Sequence, residues 1–207
     1  MKNMKKEIRQ RTTTIELRTL GNDQEVIEGY ALKFDRWSDT LGWVYPFREK
    51  LEPGCLDDTD MENVVALFNH NQSDILGRTG ANVTLDVDNI GLKFRINPTD
   101  TTLSRDLIAN IRAGVINQCS FAFTVPNEDG AEEWRENEST GIYERFIHKI
   151  DRLYDVSVVT TPAYPDTEAV VGARSQELVD ELRSHPKKQE IRQMLGELEM
   201  EEILNSL

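Results

Sequence analysis

Cysteine is scarce in this chain: Cys55 and Cys119 are the two among 207 residues. Two thiols cannot build a disulfide framework, so both are expected to be reduced. Histidine is almost as rare. Any chemistry that needs an imidazole must draw on His70, His148 or His185. Long apolar runs are missing, and none approaches the roughly 20 residues of a membrane span. The basic start, Met1 to Glu7, is followed by no apolar signal-peptide core. The expectation is a cytoplasmic protein without membrane contact. Positive charge is also short: 24 Lys and Arg face 37 Asp and Glu, for a net charge of −13. That balance argues against general nucleic-acid binding, which displaces counterions through basic contacts. It favours solubility and partners with basic patches. There is no Gly-x-Ser-x-Gly elbow, no His-Glu-x-x-His zinc motif and no phosphate-binding glycine loop. No cofactor or metal is therefore expected. Internal repeats and low-complexity tracts are absent as well.

What remains is a chain of short alternating runs. Thr13–Arg18 and Val26–Phe34 alternate with period two around a Gly21-Asn22-Asp23 turn signal, which predicts a hairpin. An aromatic-rich stretch with Trp37, Trp43, Tyr45 and Phe47 is expected to pack over a core edge. Val64–His70 is short, β-branched and apolar, the pattern of a buried strand. A polar loop, Asn71-Gln72-Ser73-Asp74, and a Gly77–Gly80 turn are expected after it. Val83–Val87 and Gly91–Ile96 predict a second hairpin through Asp88-Asn89. The period then changes. Leu103, Leu107, Ile108 and Ile111 share a helical stripe, with Thr101 or Thr102 as cap and Gly114 at the end.

The helix delivers the chain into Val115–Thr124, which reads as a strand with two unlike faces. Cys119, Phe121 and Phe123 fall on one side; Ser120, Ala122 and Thr124 fall on the other. The aromatic side predicts a core. The small side is expected to be open, with Ser120 as a candidate nucleophile. The acidic run from Asn127 to Gly141 reads as a solvated loop or a flexible hairpin tip. Strands are expected again at Ile142–Ile150 and Leu153–Val159, and helix formers dominate from Glu168 onward.

A serine nucleophile needs a base, because a free hydroxyl is hardly ionised at neutral pH. His185 lies in a charged tail before a proline, and His148 shares a strand face with Phe146 and Ile150. His70, at a strand end, is the better placed. The third role is to orient the histidine and stabilise its charged form. Asp155, inside a core-like strand, must be paired there and is the candidate.

Five segments in order resemble the tailed-phage prohead proteases of the HK97 type. They are Glu28–Ala31 with Phe34, Phe47–Gly54, Phe68-Asn69-His70 with Ile75–Thr79, Ile111–Gly114 leading to Cys119–Phe123, and Asp155–Ala163. The resemblance spans about residues 13–172. It implies an α+β fold: a closed, mostly antiparallel β-barrel wrapped by helices, as in the related herpesvirus assembly proteases. It also implies a serine endopeptidase acting inside the immature capsid, in the bacterial host's cytoplasm. Its substrates would be the scaffolding segment of the major capsid protein and the protease itself. By the same resemblance Ser120 is the nucleophile, His70 the base and Asp155 the acidic member. His148 is an alternative third member, because the herpesvirus relatives use a second histidine. Two departures stand out. The family's acid is often glutamate, and glycine often stands where this chain has Ala122.

The implied layout is a basic flexible arm at 1–12, a protease domain at 13–172 and a helical tail at 173–207. The tail's apolar stripe suits docking on scaffold or capsid, self-association, self-cleavage, or simple cover for the domain. The rival reading is a catalytically silent capsid-assembly or scaffold protein on the same fold.

Overall fold

A computed structural model describes residues 7–19, 25–42, 46–160 and 173–184. Among these are eleven strands and two helices, so the fold is mostly sheet. The strands are β1 (Glu7–Thr19), β2 (Glu25–Lys33), β3 (Phe47–Leu51), β4 (Val65–Phe68), β5 (Asn71–Arg78), β6 (Val83–Val87) and β7 (Gly91–Ile96). Helix α1 (Thr102–Arg112) separates them from β8 (Gln118–Thr124), β9 (Glu132–Glu136), β10 (Tyr143–Ile147) and β11 (Arg152–Val159); α2 (Ala173–Ser184) follows.

Eight strands form one sheet in the order β5-β4-β11-β8-β1-β2-β7-β6. Its pairs are antiparallel except β4 with β11. A smaller sheet runs β3-β10-β9. The expected closed barrel is not built as a continuous ladder. The edges come together where Thr79, just past the end of β5, makes one isolated bridge with Val83 of β6. Asn82 ties this corner: its side chain accepts from the Arg78 amide (3.0 Å) and donates to the carbonyls of Leu76 (3.0 Å) and Asn97 (2.9 Å). One apolar core nevertheless draws Leu76 from β5, Val83 from β6, and Phe121 and Phe123 from β8. The large sheet is therefore rolled around that core.

Local chemistry explains most elements. In α1 the Thr101 hydroxyl accepts from the Ser104 amide (3.1 Å), which satisfies one of the free donors of the first turn. Leu107 and Ile111 face the core, and Gly114 takes the positive φ of 72° that ends the helix cheaply. Strand β8 then carries Cys119, Phe121 and Phe123 inward, with the two rings stacked at 5.3 Å.

Four expectations need correction. The polar Asn71–Asp74 is no loop; it begins β5, an edge strand whose side chains are mostly exposed there. The acidic 127–141 run contains β9, with Glu132 and Trp134 buried. These two residues belong with the fully buried Arg145, to which Glu132 is hydrogen-bonded, so their charge and size did not mark solvent. Strand β1 begins at Glu7, inside the stretch expected to be a flexible arm, and Glu7 is buried. Finally, the supposedly open side of β8 is closed, since Ser120, Ala122 and Thr124 are all fully buried. Met1–Lys6, Trp43, Tyr45 and the tail from residue 185, His185 included, lie outside the described residues.

Candidate active site

The site is assembled by strand register. Strand β11 lies between β4 and β8. Ser157 stands directly opposite Ser120, and Asp155 opposite Ala122. On the other side Asp155 pairs with Val65 and Ser157 with Leu67. Paired residues project to one face of a sheet. Asp155, Ser157, Ser120 and Ala122 therefore share the face opposite Val156, Val158, Phe121 and Phe123, which belong to the core.

His70 reaches this face from a two-residue turn between β4 and β5, closed by the Phe68–Asn71 pair. Both turn residues have positive φ, 52° for Asn69 and 56° for His70. Tight hairpins of this kind demand such angles, and they normally recruit Asn and Gly. A histidine there is strained. The turn is clasped onto β11: the Asn69 amide donates to the Val158 carbonyl (2.9 Å), and the Asn69 Oδ1 accepts from the Thr160 amide (3.0 Å).

The imidazole bridges the two strands beyond it. His70 Nδ1 is 2.6 Å from Asp155 Oδ1, and His70 Nε2 is 2.6 Å from Ser120 Oγ. An ionised carboxylate can only accept, so Nδ1 carries the proton and Nε2 accepts from the serine hydroxyl. Asp155 is 1% exposed and Ser120 is 0% exposed. Asp155, shorter than the glutamate common in the resembling family, reaches because the clasped turn holds His70 over β11. Ala122, at the position where that family often has glycine, lies buried on the same face across from Asp155.

The other expectations fall elsewhere. His148 follows β10, with Nδ1 3.0 Å from Glu52 Oε2 and Nε2 4.0 Å from Glu133 Oε2. Arg135, hydrogen-bonded to that Glu133, holds its carboxyl below the usual range. His148 thus belongs to a set of ionic groups on the small sheet and is not brought to Ser120. Cys119 faces the core, where its thiol donates to the Tyr30 carbonyl (3.1 Å). The Gly77–Gly80 segment is a poor source of oxyanion donors: the Arg78 amide is spent on Asn82 and the Thr79 amide on the Val64 carbonyl.

Sequence reasoning missed Ser157. Its hydroxyl donates to Asp155 Oδ1 (2.9 Å) and lies 3.1 Å from His70 Nδ1. The period of two from Asp155 was the available signal, because it puts Ser157 on the same face.

A family model described as the caudovirus prohead serine protease matches residues 13–181. The chain belongs to that family. Its members are phage capsid-maturation proteases, and Ser120, His70 and Asp155 all lie within the matched region. No curated protein matches the chain. Among solved structures, the bacteriophage T4 capsid assembly protease gp21 is similar, at 14% identity and a TM-score of 0.49, over 76% of this chain and 98% of that one.

Proposed function

We propose that this chain is a serine endopeptidase that removes the scaffolding segment of its phage's major capsid protein, and also cleaves itself. The observation that carries the reading is the continuous Ser120–His70–Asp155 connection, two contacts of 2.6 Å each. Ser120 Oγ attacks the scissile carbonyl carbon as His70 Nε2 takes its proton. The peptide C–N bond breaks when His70 returns that proton to the leaving nitrogen. Water, activated by the same imidazole, then hydrolyses the acyl-serine and frees the enzyme. Asp155 keeps the proton on Nδ1 and stabilises the imidazolium formed on the way. Backbone amides must meet the oxyanion.

The burial of Ser120 has a mechanistic consequence: a peptide reaches it only after the triad's face is uncovered. A protease that works inside a closed shell beside its own scaffold benefits from such restraint. We place its action inside the immature capsid, within the bacterial host, with capsid protein as its partner.

We assign residues 13–172 to the protease domain and take α2 (Ala173–Ser184) as the start of the segment that follows it. In support, α2 packs Val179, Leu178 and Leu182 against Phe47, Trp134 and Tyr143 of the small sheet, as a separate small cluster. We also read the rolled large sheet as a barrel of the herpesvirus assembly protease kind, a reading supported by its single core and by the Thr79–Val83 bridge between its edges.

The test is co-production with the capsid protein of the same phage. The parent chain shortens the capsid protein at its N-terminus, as mass measurement of the fragments would record, and Ser120→Ala leaves it full-length. Equal cleavage by Ser120→Ala would overturn the assignment of the nucleophile. No cleavage by the parent would favour a silent assembly protein.

A further inference from the structure

Ser157 contacts two of the three members of the cluster. It lies two residues beyond Asp155 on β11, directly across from Ser120, and is 1% exposed. Three atoms form a closed triangle: His70 Nδ1 to Asp155 Oδ1 at 2.6 Å, Ser157 Oγ to the same Oδ1 at 2.9 Å, and Ser157 Oγ to Nδ1 at 3.1 Å.

Counting protons fixes the direction of each bond. Asp155 Oδ1 accepts only. The Ser157 hydroxyl has one proton, and it is spent on Oδ1. Its lone pairs then face the Nδ1–H, which is shared between Oδ1 as main acceptor and Oγ as second acceptor. With the Ser157 proton on Oδ1, a bare Nδ1 would face two acceptors and no donor. The hydroxyl therefore disfavours the wrong tautomer, and it steadies the carboxylate through a bond to a charged group, the stronger class of hydrogen bond.

The placement is specific to the strand order. Strand β11 lies between β4, which leads into the His70 turn, and β8, which carries Ser120, so its residues 155 and 157 both face the imidazole. The described elements packed around His70 contribute Asp155 and Ser157 from β11 and Ser120 from β8. Asp155 is the charged group within ion-pair distance.

We propose that Ser157 is a positioning residue of the protease site, which holds Asp155 and keeps the His70 proton on Nδ1. The role rests on the serine-protease reading above. Ser157 touches no reacting atom, so its loss acts on kcat and spares KM.

The test uses the full chain and two readouts. In the parent, the His70 Nδ1–H gives one slowly exchanging downfield proton resonance by NMR. In Ser157→Ala it broadens through faster exchange with water, kcat on capsid protein falls about tenfold, the scale of one charge-assisted hydrogen bond, and KM is unchanged. Ser157→Cys keeps the volume but is a weak donor, and it gives the same broadening. Ser157→Thr keeps the hydroxyl and restores the sharp resonance. An Nδ1–H resonance unchanged in both Ser157→Ala and Ser157→Cys overturns the proposal, whatever the activity. The resonance needs no turnover. Failure of the endopeptidase reading, detected as cleavage by Ser120→Ala, is thus separable from failure of this one.

Discussion

Asp155 Oδ1 lies 2.6 Å from His70 Nδ1, although 85 positions separate the two residues along the chain. The other histidine considered for the third role, His148, lies 3.0 Å from Glu52, just past the end of β3. The two arrangements predict opposite outcomes. Asp155→Asn can present its amide to the imidazole and reverse the tautomer, so turnover falls by about 10³–10⁴ with the fold intact. His148→Ala removes a half-exposed side-chain contact with Glu52, which contributes little, and cleavage stays within about twofold of the parent. Rates on capsid protein for the two variants decide the matter. If His148→Ala alone abolishes turnover, the assignment of Asp155 is wrong.

His70 sits at φ 56° in its turn, where a Cβ is a liability. Its function therefore conflicts with local stability. Comparing His70→Gly with His70→Ala isolates the backbone share, because both lack the imidazole and leave Asp155 equally short of it. Both are expected to be inactive. Glycine is expected to be the more stable of the pair by about 1 kcal/mol, as a difference in urea midpoint at equal slope. Equal midpoints would mean that the turn relaxes when the imidazole is removed.

Periodicity made the central elements legible. The hairpin strands β6 and β7, the amphipathic α1 with its Thr101 cap, and the two-faced β8 follow from residue spacing. Ser120, His70 and Asp155 were readable because each breaks its context: a serine on a small-residue face, a histidine at a strand end, an acid inside an apolar strand. Other features were hidden for physical reasons. Strand β5 is an edge strand whose first residues face water, so Asn71–Asp74 carry no hydrophobic pattern. Strand β9 is polar because its buried Glu132 serves Arg145, a partner 13 residues away that no local pattern shows. The burial of Ser120 depends on what lies over the sheet, and alternation along one strand cannot report that.

Arg145 ties the small sheet to β1 and α2. It is 0% exposed and donates to Glu7 on β1 (2.5 Å), Glu49 on β3 (3.2 Å), Glu132 on β9 (2.7 Å) and Ser175 on α2 (3.3 Å). Burial pulls its pKa down, but Glu7, Glu132 and Glu49 outweigh this and hold it above the usual arginine range. A group whose folded pKa is raised contributes stability that is fully present below its unfolded pKa. Arg145 therefore keeps its contribution across neutral and mildly alkaline pH. Arg145→Leu leaves buried carboxylates without their cation, at a cost of about 3–5 kcal/mol. The expected result is a lower urea midpoint, by a similar free-energy difference at about pH 7 and pH 9. Loss of the effect at the higher pH would contradict a guanidinium held in its charged form.

Asn82 supports the proposed barrel in a different way, since it joins the sheet's edges at a single corner. Its side chain uses one acceptor and two donors on backbone groups of Arg78, Leu76 and Asn97, and its own carbonyl accepts from the Asn97 amide (2.9 Å). Asn82→Ala leaves three backbone groups in a half-buried corner without these partners. The cost is about 1–3 kcal/mol, discounted for access to water. In a domain of this size that lowers Tm by roughly 2–12 °C. Asn82→Asp keeps the bond from the Arg78 amide but loses both donors, so it should fall on the same side of the parent. Hydrogen exchange gives the sharper readout. Amides of β5 and β6 are expected to lose protection before those of β8 and β11, which lie inside the sheet. Uniform loss across the sheet would mean that the corner is part of one cooperative unit, and that Asn82 does not act as a local clasp.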